Sequence, residues 1–171
     1  MTELKSKFEV VVIGGGPAGL SAARVCGRRG MKTLLVEKSP EPGGQLLWTY
    51  NRITNYLDDE PKVGRDIAQA LSREAEASSV VVLRGVDVIA ADLALKRITT
   101  YDGGTYSGDA IVIATGVRRR TLGLSGEEKF GGRGILVSGA RDRESVIGQT
   151  VVIVGGGDAA LENALILGEH A

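Results

Sequence analysis

Apolar positions come as solid short runs near the start of the chain and as helically spaced sets between them. Phe8–Ile13 (FEVVVI) is a β-branched run that predicts a strand buried on both faces. Gly14–Gly16 then makes a turn, and Pro17 suits the first turn of a helix, where its missing N–H costs nothing. Ala18–Arg29 reads as that helix, with Ala, Leu and Val along its length. Three arginines fall towards its end, where they favour the helix dipole, and Gly30 stops it. Thr33–Val36 is a second buried strand, closed by Glu37. Strand, helix and parallel strand within about thirty residues make a βαβ unit.

Further on, Ile67, Ala70, Leu71 and Ala75 recur at near-helical spacing and predict a polar-faced helix over Arg65–Ala77. Val80–Leu83 follows as a strand. Asp87–Ala91, Arg97–Tyr101 and a third segment around Tyr106 read as an antiparallel meander, with Asp102-Gly103-Gly104 as a hairpin turn. Asp109–Ala114 (DAIVIA) is predicted as another buried strand, stopped by Gly116. A glycine- and charge-rich passage from Arg118 to Gly134 reads as a crossing between domains. Val151–Val154 then opens a second strand–glycine–helix pattern, with the helix over 158–169. The expected organisation is a domain over 1–117 and, over 118–171, a linker with the first βα unit of another. No second strand follows that helix, so the second unit is expected to be half of one.

Composition narrows the function classes. The 171 residues hold 43% hydrophobic positions, enough for a real core. Lys and Arg (21) balance Asp and Glu (21), so no net field recruits nucleic acid or an acidic membrane. Arg118-Arg119-Arg120 is expected to be a solvated loop. No apolar stretch approaches the ~18 residues of a membrane span, and MTELKSKFEV lacks the apolar centre of a signal peptide. One cysteine, Cys26, allows no internal disulfide and suits a reducing cytoplasm. It is read as a small core residue. His170, the one histidine, is expected to be solvated. One Cys and one His make no metal constellation, and Ser21 and Ser138 have no histidine at hand for nucleophilic catalysis. No catalytic side chain is predicted.

The candidate chemistry lies in the glycines. Gly14-x-Gly16-x-x-Gly19 follows a strand and opens a helix, which is the context a dinucleotide fingerprint needs. The first glycine permits the turn, the second lets a diphosphate approach the backbone, and the third lets helix and strand pack closely. Free N–H groups and the positive dipole end then face the phosphates. Glu37, at the end of the next strand, is placed to accept hydrogen bonds from a ribose. Gly155-x-Gly157-x-x-Ala160 repeats the pattern with Ala in third place. Two cradles imply two dinucleotides, and that pairing suggests electron transfer between them.

Taken together, GGGPAG (14–19), Glu37, GGQL (43–46), Asn55-Tyr56, IATG (113–116), GRG (132–134) and VGGGDAALENAL (154–165) resemble the low-molecular-weight thioredoxin reductases. These are flavoproteins with an FAD domain and an inserted NADPH domain. The resemblance implies an α/β fold: a Rossmann-like, ββα-type FAD-binding domain with a three-stranded antiparallel meander, and the truncated start of a second Rossmann-like, NAD(P)H-binding domain. It implies FAD contacts from Gly14, Gly15, Gly16, Pro17, Ala18 and Gly19, with Glu37 and Lys38 towards the ribose. Gly44 and Gln45 would lie along the flavin, Asn55 near its ring, and Ala114, Thr115 and Gly116 at the closing strand. Gly155, Gly157, Asp158, Ala160 and Glu162 would face NADP(H) or NAD(H). Trp48 and Tyr50 fit flavin stacking and ordinary packing equally.

Two departures shape the expected activity. The family's Cys-x-x-Cys falls here on Ser138-Gly139-Ala140-Arg141, which cannot exchange a disulfide. Asp142 matches the acid after the second cysteine, but without a thiol it is expected to be a surface carboxylate. The family also completes its FAD domain with a C-terminal segment that this chain lacks, so the chain reads as the N-terminal half of a longer protein and is expected to be inert alone. The implied function is FAD-dependent oxidation of NAD(P)H with delivery to an acceptor other than an internal dithiol. A ferredoxin, a flavodoxin or a small molecule would fit, as in the dithiol-free ferredoxin–NADP reductases of this architecture. The alternatives are a thioredoxin-disulfide reductase with its redox cysteines outside this chain, and a non-catalytic flavin-binding fragment. The expected setting is cytoplasmic, without nucleic acid or membrane, and a homodimer is consistent with the family.

Overall fold

A computed structural model describes residues 6–54 and 62–171, so Asn55 and Tyr56 lie outside the described residues. The chain falls into two compact units, Met1–Val117 and Arg118–Ala171. In the first, β1 (Ser6–Ile13), α1 (Pro17–Arg28) and β2 (Thr33–Glu37) form the βαβ unit. A 3₁₀ turn over Gly44–Trp48 and α2 (Gly64–Ala77) lead to β3 (Val81–Arg84). Then come β4 (Val88–Asp92), β5 (Arg97–Thr100) and β6 (Thr105–Ile113). The six strands form one mixed sheet in the order β3-β2-β1-β6-β5-β4. Strands β3, β2, β1 and β6 run parallel, and β5 and β4 return antiparallel.

Alternation along β1 explains how the sheet is covered. Val10 and Val12 join Leu20 and Ala23 of α1 and Ile67, Leu71 and Ala75 of α2 in one cluster, with Leu35 and Val80. Cys26 packs against it as a partly buried hydrophobe. Val11 and Ile13 point the other way and meet Phe8, Leu34, Val36 and Ile98. Side chains alternate with period two, so a strand apolar at every position is one with both faces covered. Each such side chain contributes about 1.5–3 kcal/mol on burial. Helix α2 buries Ala68 rather than leaning on Ala70, a rotation of its apolar stripe by part of a turn.

The fold departs from the sequence expectations at several places. Tyr106 and Asp109–Ile113 belong to one continuous strand, β6, which stops one residue short of Ala114: its first residues pair antiparallel with β5, while Ser6–Ile13 pair parallel along most of its length. Gly108 lets it pass, since a Cβ there would sit 2.8 Å from the Ala110 carbonyl oxygen. The strand is also less covered than DAIVIA suggested, with Ile113 59% exposed. The arginines of α1 serve a tether as well as a dipole. Arg24 and Arg28 both reach Glu74 of α2, at 2.9 and 2.7 Å.

The second unit holds α3 (Glu127–Phe130), α4 (Gly139–Asp142), a 3₁₀ turn over Arg143–Val146, and α5 (Asp158–Gly168). Val151–Val154 forms no strand, and Val152 is 81% exposed. A both-face-buried parallel strand needs neighbours for its backbone groups, and none pairs with it among the described residues. Arg118, Arg119 and Arg120 are exposed, with Arg119 donating to the Val137 carbonyl. His170 is half-buried rather than solvated, its ring nitrogen 3.0 Å from the Ile166 carbonyl oxygen. No helix among the described residues is long and apolar enough to cross a membrane.

Candidate functional site: two glycine cradles

The first cradle is built where β1 ends. Gly14 turns with φ +101°, a left-handed-side conformation costly for any other residue, and its N–H donates to the Val36 carbonyl at 2.8 Å. A Cβ at Gly14 would lie 2.4 Å from the Ala114 carbonyl oxygen, and one at Gly19 would lie 1.8 Å from the Gly14 carbonyl oxygen. Helix α1 is therefore pressed onto the ends of β1 and β6 through bare backbone. Gly16 differs: among the described residues a Cβ there would have as neighbour only the Gly44 Cα at 3.9 Å. Gly16 is also the N-cap of α1, and no side chain caps it. The first-turn N–H groups, which an α-helix cannot satisfy internally, open beside Pro17 and Ala18, both exposed.

Three further segments ring this opening. Gly43, unforeseen as a participant although its motif was visible, donates its N–H to the Gly15 carbonyl at 2.7 Å and brings Gly44 over Gly16. Gln45 sends its side-chain amide to the Val117 carbonyl at 3.0 Å, just beyond exposed Thr115 and Gly116. Glu37 is buried, 8% exposed, and its two oxygens accept from the main-chain N–H groups of Gly15 (2.5 Å) and Ser39 (2.6 Å). One carboxylate thus bridges the glycine turn and the end of β2, held by charge-assisted bonds. Lys38 is exposed and paired with Asp87 at 2.6 Å. Trp48 and Tyr50 are exposed beside the 3₁₀ turn.

The second cradle is made differently. Gly155 has φ +120°, but a Cβ on it would meet nothing closer than the Ala160 Cβ at 3.6 Å, and Gly156 and Gly157 have open space around them. Gly157 caps α5 without a side-chain bond, and Asp158 lies exposed in the first turn. Ala160 is half-buried and Glu162 exposed. Both helix starts pass the same test for a diphosphate: uncapped N–H groups, and room at the middle glycine where a side chain would stand.

At the position of the expected dithiol, Ser138 caps α4 by accepting from the Arg141 N–H. Asp142 corrects the surface expectation: its side chain is 13% exposed and chelated by Arg141, Nε at 2.5 Å and Nη2 at 2.7 Å. The Arg141 hydrogen bonds and charge, with the main-chain N–H groups of Ser138 and Val137, hold its carboxyl below the usual carboxylate range against the effect of burial. A carboxylate so held accepts hydrogen bonds and does not give up a proton near neutral pH. Sequence reasoning also passed over Asn163, whose Oδ1 accepts from the Gly139 N–H at 2.7 Å. Nothing in its local pattern marked it.

A glycine-turned βαβ unit in a mixed sheet with an antiparallel meander defines an α/β protein of dinucleotide-binding type. Residues 8–171 match the pyridine nucleotide-disulphide oxidoreductase family, and the chain belongs to it. It is 32% identical over 164 residues to a thioredoxin reductase of Listeria monocytogenes, covering 96% of this chain and 51% of that protein. It is 35% identical over 168 residues to a ferredoxin–NADP reductase of Thermus thermophilus, covering 93% and 49%. Among solved structures, thioredoxin reductase from Lactococcus lactis superposes with a TM-score of 0.80 at 36% identity, over 95% of this chain and 53% of that one. The chain thus spans about half the length of the curated relatives it matches.

Proposed function

We propose that this chain supplies the FAD-binding part (1–117) and the opening of the NAD(P)H-binding part (118–171) of a flavin-dependent NAD(P)H oxidoreductase whose electrons leave to an external acceptor. The observation that carries this reading is the uncapped start of α1 at Gly16, ringed by Gly14, Glu37 and Gly44. There the main-chain N–H groups of the first turn would bind the FAD diphosphate, and Pro17 and Ala18 would flank it. Glu37, already fixed at both oxygens, would offer its remaining lone pairs to the ribose hydroxyls. Gly44, Gln45, Thr115 and Gly116 would line the route towards the flavin ring. Gly155, Gly157, Asp158 and Ala160 would take the nicotinamide dinucleotide, with Glu162 one turn on. When bound, the flavin would accept a hydride from the nicotinamide, and the protein's part is position and electrostatics.

The exit of electrons is read from α4. Ser138 and Arg141 carry no thiol, and Asp142 is committed to Arg141. A ferredoxin, a flavodoxin or a small-molecule acceptor therefore fits better than an internal dithiol. The name of the Listeria relative favours a second reading, a disulfide reductase whose cysteines lie on a longer polypeptide. A cytoplasmic setting goes with either, since lone Cys26 needs no oxidising compartment. The test is anaerobic NADPH titration of the FAD-loaded protein, followed by separate additions of oxidised ferredoxin and thioredoxin. Bleaching of the flavin absorbance, reversed by ferredoxin and not by thioredoxin, is the expected result. Reversal by thioredoxin alone would install the second reading, and a protein that retains no flavin would overturn both.

A further inference from the structure

Helix α5 is thinly anchored. Leu167 is its one buried residue, Leu161 and Leu165 are 61% and 76% exposed, and its amino end from Gly155 to Ala159 stands exposed. Hydrogen bonds from outside reach it at two places, among others. The Gly148 N–H donates to the His170 carbonyl just past its carboxyl end, at 3.2 Å, and the Gly139 N–H donates to Asn163 Oδ1 at 2.7 Å. The second is the better made. Its donor is a main-chain N–H, so the side-chain atom facing it must be the amide oxygen rather than the nitrogen. Gly139 is buried against Asn163, and a Cβ on Gly139 would come within 2.8 Å of that oxygen. Asn163 sits five residues into α5, a rise of about 7.5 Å from its start.

The other end of that bond belongs to a densely hydrogen-bonded turn. Over residues 138–142 the Asp142 N–H donates to the Ser138 carbonyl, the Arg141 N–H to Ser138 Oγ, and the Arg141 guanidinium chelates Asp142. Ser145 Oγ donates to the Asp142 carbonyl at 2.6 Å. A densely hydrogen-bonded short segment thus meets α5 through the Asn163 side chain, while the amino end of that helix is exposed. A free helix end with few buried contacts opens readily, and a ligand that orders it must also order whatever is rigidly attached.

We propose that Asn163 is a positioning residue which, through the Gly139 N–H, makes nucleotide binding at the Gly155–Gly157 cradle and the placement of the Ser138–Asp142 segment a single event. This rests on the cradle being the NAD(P)H site, and it assigns to the thiol-free segment a part in the nucleotide response that needs no redox chemistry. Binding at the amino end of α5 damps the motion of the helix, Asn163 passes that restraint to Gly139, and the chelated Arg141–Asp142 turn moves with it.

Amide hydrogen exchange of the FAD-loaded protein, with and without NADPH, tests it. Saturating NADPH is expected to slow exchange at Gly155–Ala160 and, by about tenfold, at Gly139–Arg141. In Asn163→Ala the cradle protection persists and the ligand-dependent slowing at Gly139–Arg141 disappears. In Asn163→Asp it returns, because a carboxylate oxygen still accepts the N–H. A purely structural Asn163 would give Gly139 the same protection with or without nucleotide. Protection of the cradle without any response at Gly139 in the wild type would overturn this inference and leave the cradle reading standing. No response at Gly155–Ala160 would overturn the cradle reading, and this inference with it.

Discussion

The chain writes nearly the same glycine pattern twice, and the two copies are held by different forces. At Gly14–Gly19 the backbone is clamped: absent side chains are demanded by the Ala114 and Gly14 carbonyl oxygens, 2.4 and 1.8 Å from where Cβ atoms would stand. At Gly155–Ala160 the nearest such contact is 3.6 Å, and a Cβ on Gly156 or Gly157 would meet nothing within 4 Å among the described residues. The first cradle is finished by the fold. The second has the conformation, with Gly155 at φ +120° and an uncapped helix start, but nothing in its own unit presses on it. A glycine fingerprint therefore encodes two separable requirements, one imposed by packing and one by the ligand, and a spacing rule alone does not tell them apart.

The largest effect that would sharpen this contrast comes from adding one methyl group to each copy. Gly19→Ala should cost about 3 kcal/mol or more, because rigid carbonyl backbone has to move, and urea unfolding should show the first unit lost early. Gly156→Ala should change stability by less than about 0.5 kcal/mol, as expected of open surface. Comparable losses at the two sites would erase the distinction.

A smaller effect is expected from the carboxylates. Glu37→Ala strands the buried Gly15 N–H and should cost about 1–3 kcal/mol, read as a lowered denaturation midpoint. Asp158→Ala, exposed in the first turn of α5, should cost about 0.5 kcal/mol of dipole interaction. A silent Glu37→Ala would mean that the turn holds itself without the carboxylate.

The smallest effect is a pH response confined to the second unit. Asp142 has a folded pKa below its unfolded one, so the stability it contributes is complete above the unfolded value of about 4. That stability is lost as pH falls through the folded value. Exchange protection over residues 138–142, corrected for the intrinsic pH dependence of the amides, should decline below about pH 4, and Asp142→Asn should flatten the profile. Glu127, whose oxygens accept from the N–H groups of Leu122, Gly123 and Leu124, is lowered in the same sense. Its Glu127→Gln variant separates the two contributions. Protection that rises on acidification would contradict both.

What could be read along the chain was whatever neighbours in sequence decide. The first strand, the glycine turn, the proline-started helix and its Gly30 stop follow from steric rules acting within a few residues. So does the Asp102–Gly104 hairpin, where Gly103 has φ +81°. Residues far apart decided the rest. The union of the Tyr106 segment with DAIVIA into β6 depends on β1 and β5 lying alongside. The missing strand at Val151–Val154 reflects the lack of a partner among the described residues, which its apolar composition could not foretell. The grip of Glu37 on the Gly15 N–H, the tie from Arg24 and Arg28 to Glu74, and the bond from Gly139 to Asn163 join positions 22 to 50 residues apart. Sequence alone set the local backbone and the positions where a side chain would be intolerable. Tertiary structure chose the partner of each polar group, because a hydrogen bond is fixed by proximity and direction in space and leaves no periodic trace in the residues that make it.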